Sequence, residues 1–243
     1  MAFRFGAGTV SALRLGSVTI NKVYQGALEV FDGGGGAPTT LQVVGTPVTG
    51  NSPSGANHTS HTISFPTHQS GDLLLALFSC DGVGTHIANT AGWAYLGTGT
   101  RSSNVRGSVW AKIAAGAGET LVVDTSNESS SFVGMAFRNA GLPTAGDIAF
   151  SNTFGAADPP ALSPAGGSAE YAWVVAAFLD QQSTPTNPPA DFIGYIENAH
   201  PNTYGASIAA AYRLAHIAGT YDPGAFDNGS QNVAACTIAI SAA

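Results

Sequence analysis

Residues 71–81, GDLLLALFSCD, constrain this chain more than any other stretch. Seven of the nine residues 72–80 are apolar, and the run is far too short to cross a membrane. A short apolar run bounded by turn-forming residues fits a strand buried on both faces. A second run of the same kind, AEYAWVVAAFLD, occupies residues 169–180. Each starts beside an acid, Asp72 or Glu170, and each stops at an aspartate, Asp81 or Asp180. The echo predicts an architecture with one all-apolar central strand in each half.

The intervening sequence supports all-β structure. Short apolar segments alternate with Gly, Pro, Asn and Asp, which gives candidate strands at 41–44, 62–65, 73–80, 93–96, 107–113, 120–124 and 132–138. The second half offers 147–150, 161–163, 171–179, 192–196, 206–214 and 232–241. Residues 206–214 are also the best helix candidate, which leaves that segment ambiguous. A shift of about a hundred residues lays GWAYLG on DFIGYI, GSVWAKIA on ASIAAAYRLA and FVGMAFRN on VAACTIAI, a degenerate repeat over about 40–140 and 144–243. Either each half closes its own sandwich, or the halves interleave strands in one larger two-sheet jelly roll. The single jelly-roll β-sandwich is the expected form, because two nearly all-apolar strands suit the middle of a large sheet.

Ahead of this body, residues 1–32 alternate apolar and polar positions between glycines and predict a short N-terminal β-hairpin, too small to bury itself. Its apolar positions Leu13, Leu15, Val18, Ile20, Tyr24, Val30 and Phe31 are the expected contacts to another chain. Residues 33–38, GGGGAP, read as a flexible Gly-rich linker, and the sandwich spans 39–243. The first 32 residues carry three bases against two acids, while the rest of the chain carries five against thirteen, within a net charge of −7. An acidic body argues against nucleic acid as a partner. No secretory signal or membrane-spanning run is visible, which predicts assembly in a cytoplasm and no membrane insertion.

Chemistry-bearing residues are sparse. Cys80 and Cys236 fall within candidate strands, as buried reduced thiols would. Of six histidines only His58 and His61 are close in sequence, and three apart on a strand they point to opposite faces, a poor chelate. Surface or loop histidines, no metal and no cofactor are the expectation. Asp81 with Asp180, and Asp124 with Asp227, recur in the two halves, and turn-forming aspartates explain them without catalysis. No catalytic residue is expected. Aromatic side chains are the better clue: Trp93 opens a candidate strand, Tyr204 lies in the loop HPNTYG, and these two, with Tyr95 and Tyr195, could stack on sugar rings if exposed, whereas Trp173 belongs to the core.

The segment ALRLGSVTINKVYQGALEVF, with Leu15-Gly16, Tyr24-Gln25-Gly26 and Val30-Phe31, resembles the N-terminal module of minor virion proteins of tailed phages and gene transfer agents. The body, with GDLLLALFSCDG, GWAYLGTG, GSVWAKIAAGAGETLVV and FVGMAFRNA, is similar to a jelly-roll domain of phage spikes and fibres. The resemblance implies a non-enzymatic virion protein of head-spike, head-fibre or tail-fibre type. Its N-terminal module would dock on other capsid or tail proteins, and its sandwich would bind host surface polysaccharide. It also implies a homo-oligomer, with a trimer favoured. A capsid decoration or connector that binds no sugar is the alternative role, and a glycan depolymerase a further one.

Overall fold

A sequence so regularly interrupted by turn residues has few ways to pair its backbone N–H and C=O groups other than between neighbouring short strands. The computed structural model shows this throughout. It describes residues 13–15, 18–20, 22–25, 28–32, 40–52, 57–165, 170–182, 184–201, 205–217, 219–229 and 231–243. Two compact units result, Met1–Thr40 and Leu41–Ala243.

In the first unit, β1 (Leu13–Leu15) pairs antiparallel with β2 (Val18–Ile20), and β3 (Lys22–Gln25) pairs antiparallel with β4 (Leu28–Asp32). Leu13 lies opposite Ile20 and Leu15 opposite Val18, while Val23 lies opposite Phe31. The seven proposed contact positions all fall on these four strands. The linker 33–38 lies outside the described residues.

The second unit begins with β5 (Gln42–Val43), β6 (Val48–Asn51), β7 (His58–Ile63), β8 (Leu73–Asp81) and β9 (Ile87–Ala88). It continues with β10 (Ala94–Arg101), β11 (Val105–Ile113), β12 (Leu121–Glu128) and β13 (Ser130–Arg138). The later strands are β14 (Ile148–Gly155), β15 (Glu170–Leu179), β16 (Ile193–Asn198), β17 (Ser207–Ile217) and β18 (Gln231–Ser241). The ambiguous segment 206–214 is therefore strand. β6 and β9 were not foreseen, because neither four residues of mixed polarity nor two residues carry a periodic signal.

The strands form three sheets. A six-stranded sheet runs β10-β11-β8-β13, with β5 and β6 both pairing along the far side of β13. A three-stranded sheet runs β7-β12-β9, and a five-stranded sheet runs β16-β17-β15-β18-β14. The two larger sheets have the same order, with a nearly all-apolar strand, β8 or β15, at the centre of each. The expectation that the halves interleave in one roll is corrected: every strand of the six-stranded sheet lies within 42–138 and every strand of the five-stranded sheet within 148–241. Pairing β8 or β15 with its own chain neighbours needs only short connections, whereas interleaving would send the chain back and forth between sheets.

Side-chain alternation then stacks the layers. Leu73, Leu75 and Leu77 of β8 face Ala172, Val174, Ala176 and Phe178 of β15, with Cys236 and Ile238 of β18, in the core between the two large sheets. The other face of β8, through Ala76, Phe78 and Cys80, packs on Ile63, Leu121 and Val123 of the three-stranded sheet. The second unit is thus an antiparallel β-sandwich with a third, narrower sheet on one outer face. Cys80 and Cys236 sit in different cores on opposite faces of the six-stranded sheet and remain free thiols. The acid just before β8 is ion-paired. Arg138 Nε and Nη2 donate to the two oxygens of the buried Asp72 carboxylate at 2.9 and 3.0 Å, tying β8 to β13.

Two glycines set the layer spacing. A Cβ on Gly107 would lie 2.1 Å from Phe178 Cδ2, so the Phe178 ring of β15 occupies the place a side chain on β11 would take. A Cβ on Gly134 would lie 2.0 Å from the Ser64 carbonyl oxygen, which brings the outer layer down onto β13. Phe178→Ala should destabilise the fold by about 3–5 kcal/mol through cavity formation, and Gly107→Val by about 1–3 kcal/mol or more through overpacking. Denaturant unfolding of Gly107→Ala, Phe178→Ala and the double variant should show the glycine substitution costing less once the ring is removed. Simple additivity of the two would contradict this packing.

Candidate functional site

Strands lie about 4.8 Å apart, so a three-stranded cover spans about 10 Å between its outer axes while five strand positions span about 19 Å. The three-stranded sheet cannot cover the six-stranded one. It packs over β8 and β13, and His86, just before β9, reaches the indole of Trp110 on β11 at 6.4 Å between ring centroids. β10 lies beyond that edge. The five-stranded sheet has no sheet over its outer face among the described residues. Loops cover it instead, with Ala157, Leu162, Phe192, Tyr221 and Phe226 packed around Tyr171 and Trp173. One antiparallel bridge, Leu162 to Tyr221, stands where the first half has the β7–β12 pairing.

The β10–β11 strip is the best-formed exposed feature near an aromatic. Tyr95 is 49% exposed, and its ring lies 5.6 Å from that of buried Trp110. Below it, Thr98 Oγ1 donates to Gly107 O at 2.7 Å and accepts from Arg106 Nε at 3.2 Å. Arg106 Nη1 donates to the carbonyls of Val83 and Gly84 at 3.1 and 2.9 Å, anchoring the loop after β8. An exposed ring held sideways against a buried indole, on the same strand pair as fixed hydroxyl and guanidinium groups, is an arrangement suited to stacking on a ring with polar edges. Thr98 and Arg106 carry no motif that would have singled them out, since only strand pairing brings them beside each other.

The other predicted aromatics are elsewhere. Trp93 is half-buried and stacks on Phe65 at 5.2 Å and 20°, so its larger role is packing. Tyr195 on β16 is half-buried. Its hydroxyl lies against the Pro185 carbonyl and 3.0 Å from Glu197 Oε2, and burial together with the Glu197 carboxylate pushes its phenol above the usual range. β10 lies over β14 and β18, whereas β16 lies by β6 and β13, so Tyr95 and Tyr195 occupy opposite lateral edges and form no common platform. Tyr204 lies outside the described residues.

The histidines overturn the surface expectation. His61, His68, His86 and His200 are all buried, each fixed by hydrogen bonds that sequence spacing does not show. His86 Nε2 is 2.7 Å from Cys80 Sγ and its Nδ1 2.8 Å from Ser108 Oγ, an arrangement that looks like a nucleophile with its base. Burial drives the two the wrong way for that chemistry: it raises the Cys80 thiol and lowers His86 to about 3, so the pair is a neutral S–H···N bond. His61 bridges Thr125 Oγ1 at 2.9 Å and Ser130 Oγ at 2.8 Å. His200 Nε2 lies 3.2 Å from Ser52 Oγ, and Ser131 Oγ lies 2.6 Å from Ala206 O, joining the two large sheets at that rim.

The recurrent acids hold loops. Asp81 Oδ1 accepts from Ser129 N at 2.6 Å. Asp180 Oδ2 accepts from Asn232 Nδ2 at 2.6 Å and from Asn104 Nδ2 at 3.3 Å, and Asn104 O in turn accepts from Gly82 N, so Asp81 and Asp180 end their strands at one linked rim. Asp227 accepts from Thr186 and Asn187, through side chains and backbone, and these bonds lower it to about 2. Each accepts from a segment distant in the chain and so holds two loops together. No group of three or more His, Cys, Asp or Glu with metal-binding geometry occurs among the described residues.

Comparison with protein-family models, with curated proteins and with solved structures gives no match. The geometry separates two aromatics that are neighbours in sequence. Trp93→Ala should cost about 2–4 kcal/mol by emptying the stack on Phe65, while Tyr95→Ala should change stability by less than about 1 kcal/mol. Thermal unfolding of both variants checks this, and an equal loss would mean that Tyr95 is also a packing residue.

Proposed function

We propose that this chain is a displayed, non-enzymatic surface protein of phage-like virions. In this reading the N-terminal β unit mounts it on other virion proteins, and the sandwich attaches to host cell-surface polysaccharide. The observation that carries the binding part is the β10–β11 strip, where the half-exposed Tyr95 ring lies against Trp110 on the strand pair that also carries Thr98 and Arg106. The division into Met1–Thr40 and Leu41–Ala243 supports a mounting piece separate from a presenting piece. Classified more finely, we read the first half as a jelly-roll variant: the order β6-β13-β8-β11 against β7-β12-β9 supports this, with β10 added to the larger sheet, and the second half repeats that larger sheet. Display as a homo-oligomer, trimeric by preference, would add avidity to weak single-site sugar contacts.

Catalysis on glycans is the weaker reading because Asp81, Asp180 and Asp227 each serve as acceptors that close loops. A purely structural decoration or connector is the competing role. The full chain should bind capsulated host-type cells and lose that binding when the capsule is removed enzymatically. Tyr95→Ala should weaken binding at least tenfold, and Tyr195→Ala should not. Capsule-independent behaviour, or binding indifferent to Tyr95→Ala, would move the protein to the connector role or the site to another face.

A further inference from the structure

The narrow outer sheet is fastened to the six-stranded sheet in an unusual way. Two imidazoles contact one ring in the core between the layers: His61 is 5.3 Å and His86 5.1 Å from the centroid of Phe78. The core they enter is otherwise apolar, filled by Ile63, Trp110, Leu121, Val123 and Phe132. Every ring nitrogen is used. Thr125 Oγ1 donates to backbone carbonyl oxygen, at 3.3 Å to His58 O, and so accepts from His61 Nε2–H, which leaves Nδ1 to accept from Ser130 Oγ–H. Ser108 Oγ donates to Thr98 Oγ1 at 3.1 Å and so accepts from His86 Nδ1–H, which leaves Nε2 to accept from the Cys80 thiol.

All four side-chain partners are hydroxyls or a thiol, so neither imidazole is hydrogen-bonded to a carboxylate. Around His61, burial disfavours the charged ring most, the His58 backbone and the Asp124 carboxylate favour it, and the His58 imidazole opposes it; burial outweighs the rest. Around His86, burial, Arg106 and His61 all disfavour charge. Asp81 and Glu128 act on Cys80, where they oppose a thiolate. A second proton on His86 would also point an N–H at sulfur, a weak acceptor. The core between the two large sheets is different in kind. Its interior holds Cys236 among apolar side chains, and the buried imidazole of His200 sits at the rim of those sheets on Ser52 Oγ rather than in that core.

We propose that the three-stranded layer is an acid-released cover: protonation of His61 and His86 detaches β7, β9 and β12 from the six-stranded sheet while the two large sheets stay closed on each other. Release would present Phe78, Trp110 and Phe132 as an apolar face, suited to a second apolar surface rather than to a sugar. The sign follows from linkage. Burial holds the folded pKa of His61 at about 4 and of His86 at about 3, below the ordinary value of 6.5. The released state therefore binds more protons, and the stability of the cover is complete above about pH 6.5 and declines as pH falls towards those values.

Amide hydrogen exchange on the full chain, corrected for the intrinsic pH dependence of exchange, tests this at pH 7, 6, 5 and 4. The opening constant of β7 and β12 should rise on the order of a hundredfold or more between pH 7 and pH 5. Protection of β15, β17 and β18 should hold over the same interval. A His61→Gln/His86→Gln variant should remove the pH dependence. Constant protection of β7 and β12 down to pH 4, simultaneous loss from all strands, or an unchanged profile in the variant would each overturn the proposal. Should the variant not fold, the imidazole NMR resonances of the unaltered protein decide. Uptake of a proton by either ring while β7 and β12 remain protected overturns it, and uptake only together with their release supports it.

Discussion

Everything in the larger unit depends on the face-to-face contact of β8 with β15. Both strands are buried on both faces, so neither can stop at pairing with its neighbours in the plane. Odd-numbered leucines of β8 meet even-numbered residues of β15 across one core, which leaves the opposite side of each strand still in need of cover. The rest of the sandwich answers that requirement. Hydrophobic burial is non-directional, but strand alternation makes it two-sided, and a two-sided demand produces more than two layers.

The halves meet the outer demand differently, and the candidate surface comes from that difference. In the first half a sheet of three strands covers the outer face but is too narrow to shield β10. In the second half, loops fastened by Asp227, Asn228 and the Leu162–Tyr221 bridge do the covering. An exposed aromatic backed by a buried one appears where the narrow sheet ends, at Tyr95 over Trp110. Loop covering on the other half leaves Tyr195 engaged with Glu197 and the Pro185 carbonyl, so its ring is already committed to its own surroundings.

Polar groups in this protein hold layers together at rims and seams. Asp72 with Arg138 joins two adjacent strands, Asn104 and Asp180 join the ends of both halves, and Ser52 with His200 joins β6 to the loop before β17. With only 9% charged residues, the chain relies on neutral hydroxyl, amide and imidazole contacts for these seams. Such contacts are insensitive to salt, yet those made by imidazole are sensitive to protons. The same composition therefore gives a durable central core and an outer layer whose attachment depends on two neutral histidines.

Strand class and the identity of the central strands were legible in the chain itself, because a run such as 73–80 has no amphipathic alternative and turn residues bound it on both sides. The correspondence of 94–101 with 193–198, and of 130–138 with 231–241, was visible as faint similarity. How the strands are shared between sheets was not legible, since interleaved and separate sheets bury the same residues and differ only in connection entropy. The short strands β6 and β9 were invisible because register, not propensity, makes them. The burial of His61 and His86 was hidden for a related reason: an isolated imidazole in sequence has no partner, and its hydroxyl and thiol partners come from β8, β11, β12 and β13. Sequence alone thus determined which residues must leave water. Only the tertiary structure decided what they meet there, because side chains far apart in the chain become neighbours through strand order, and strand order is a property of the whole fold.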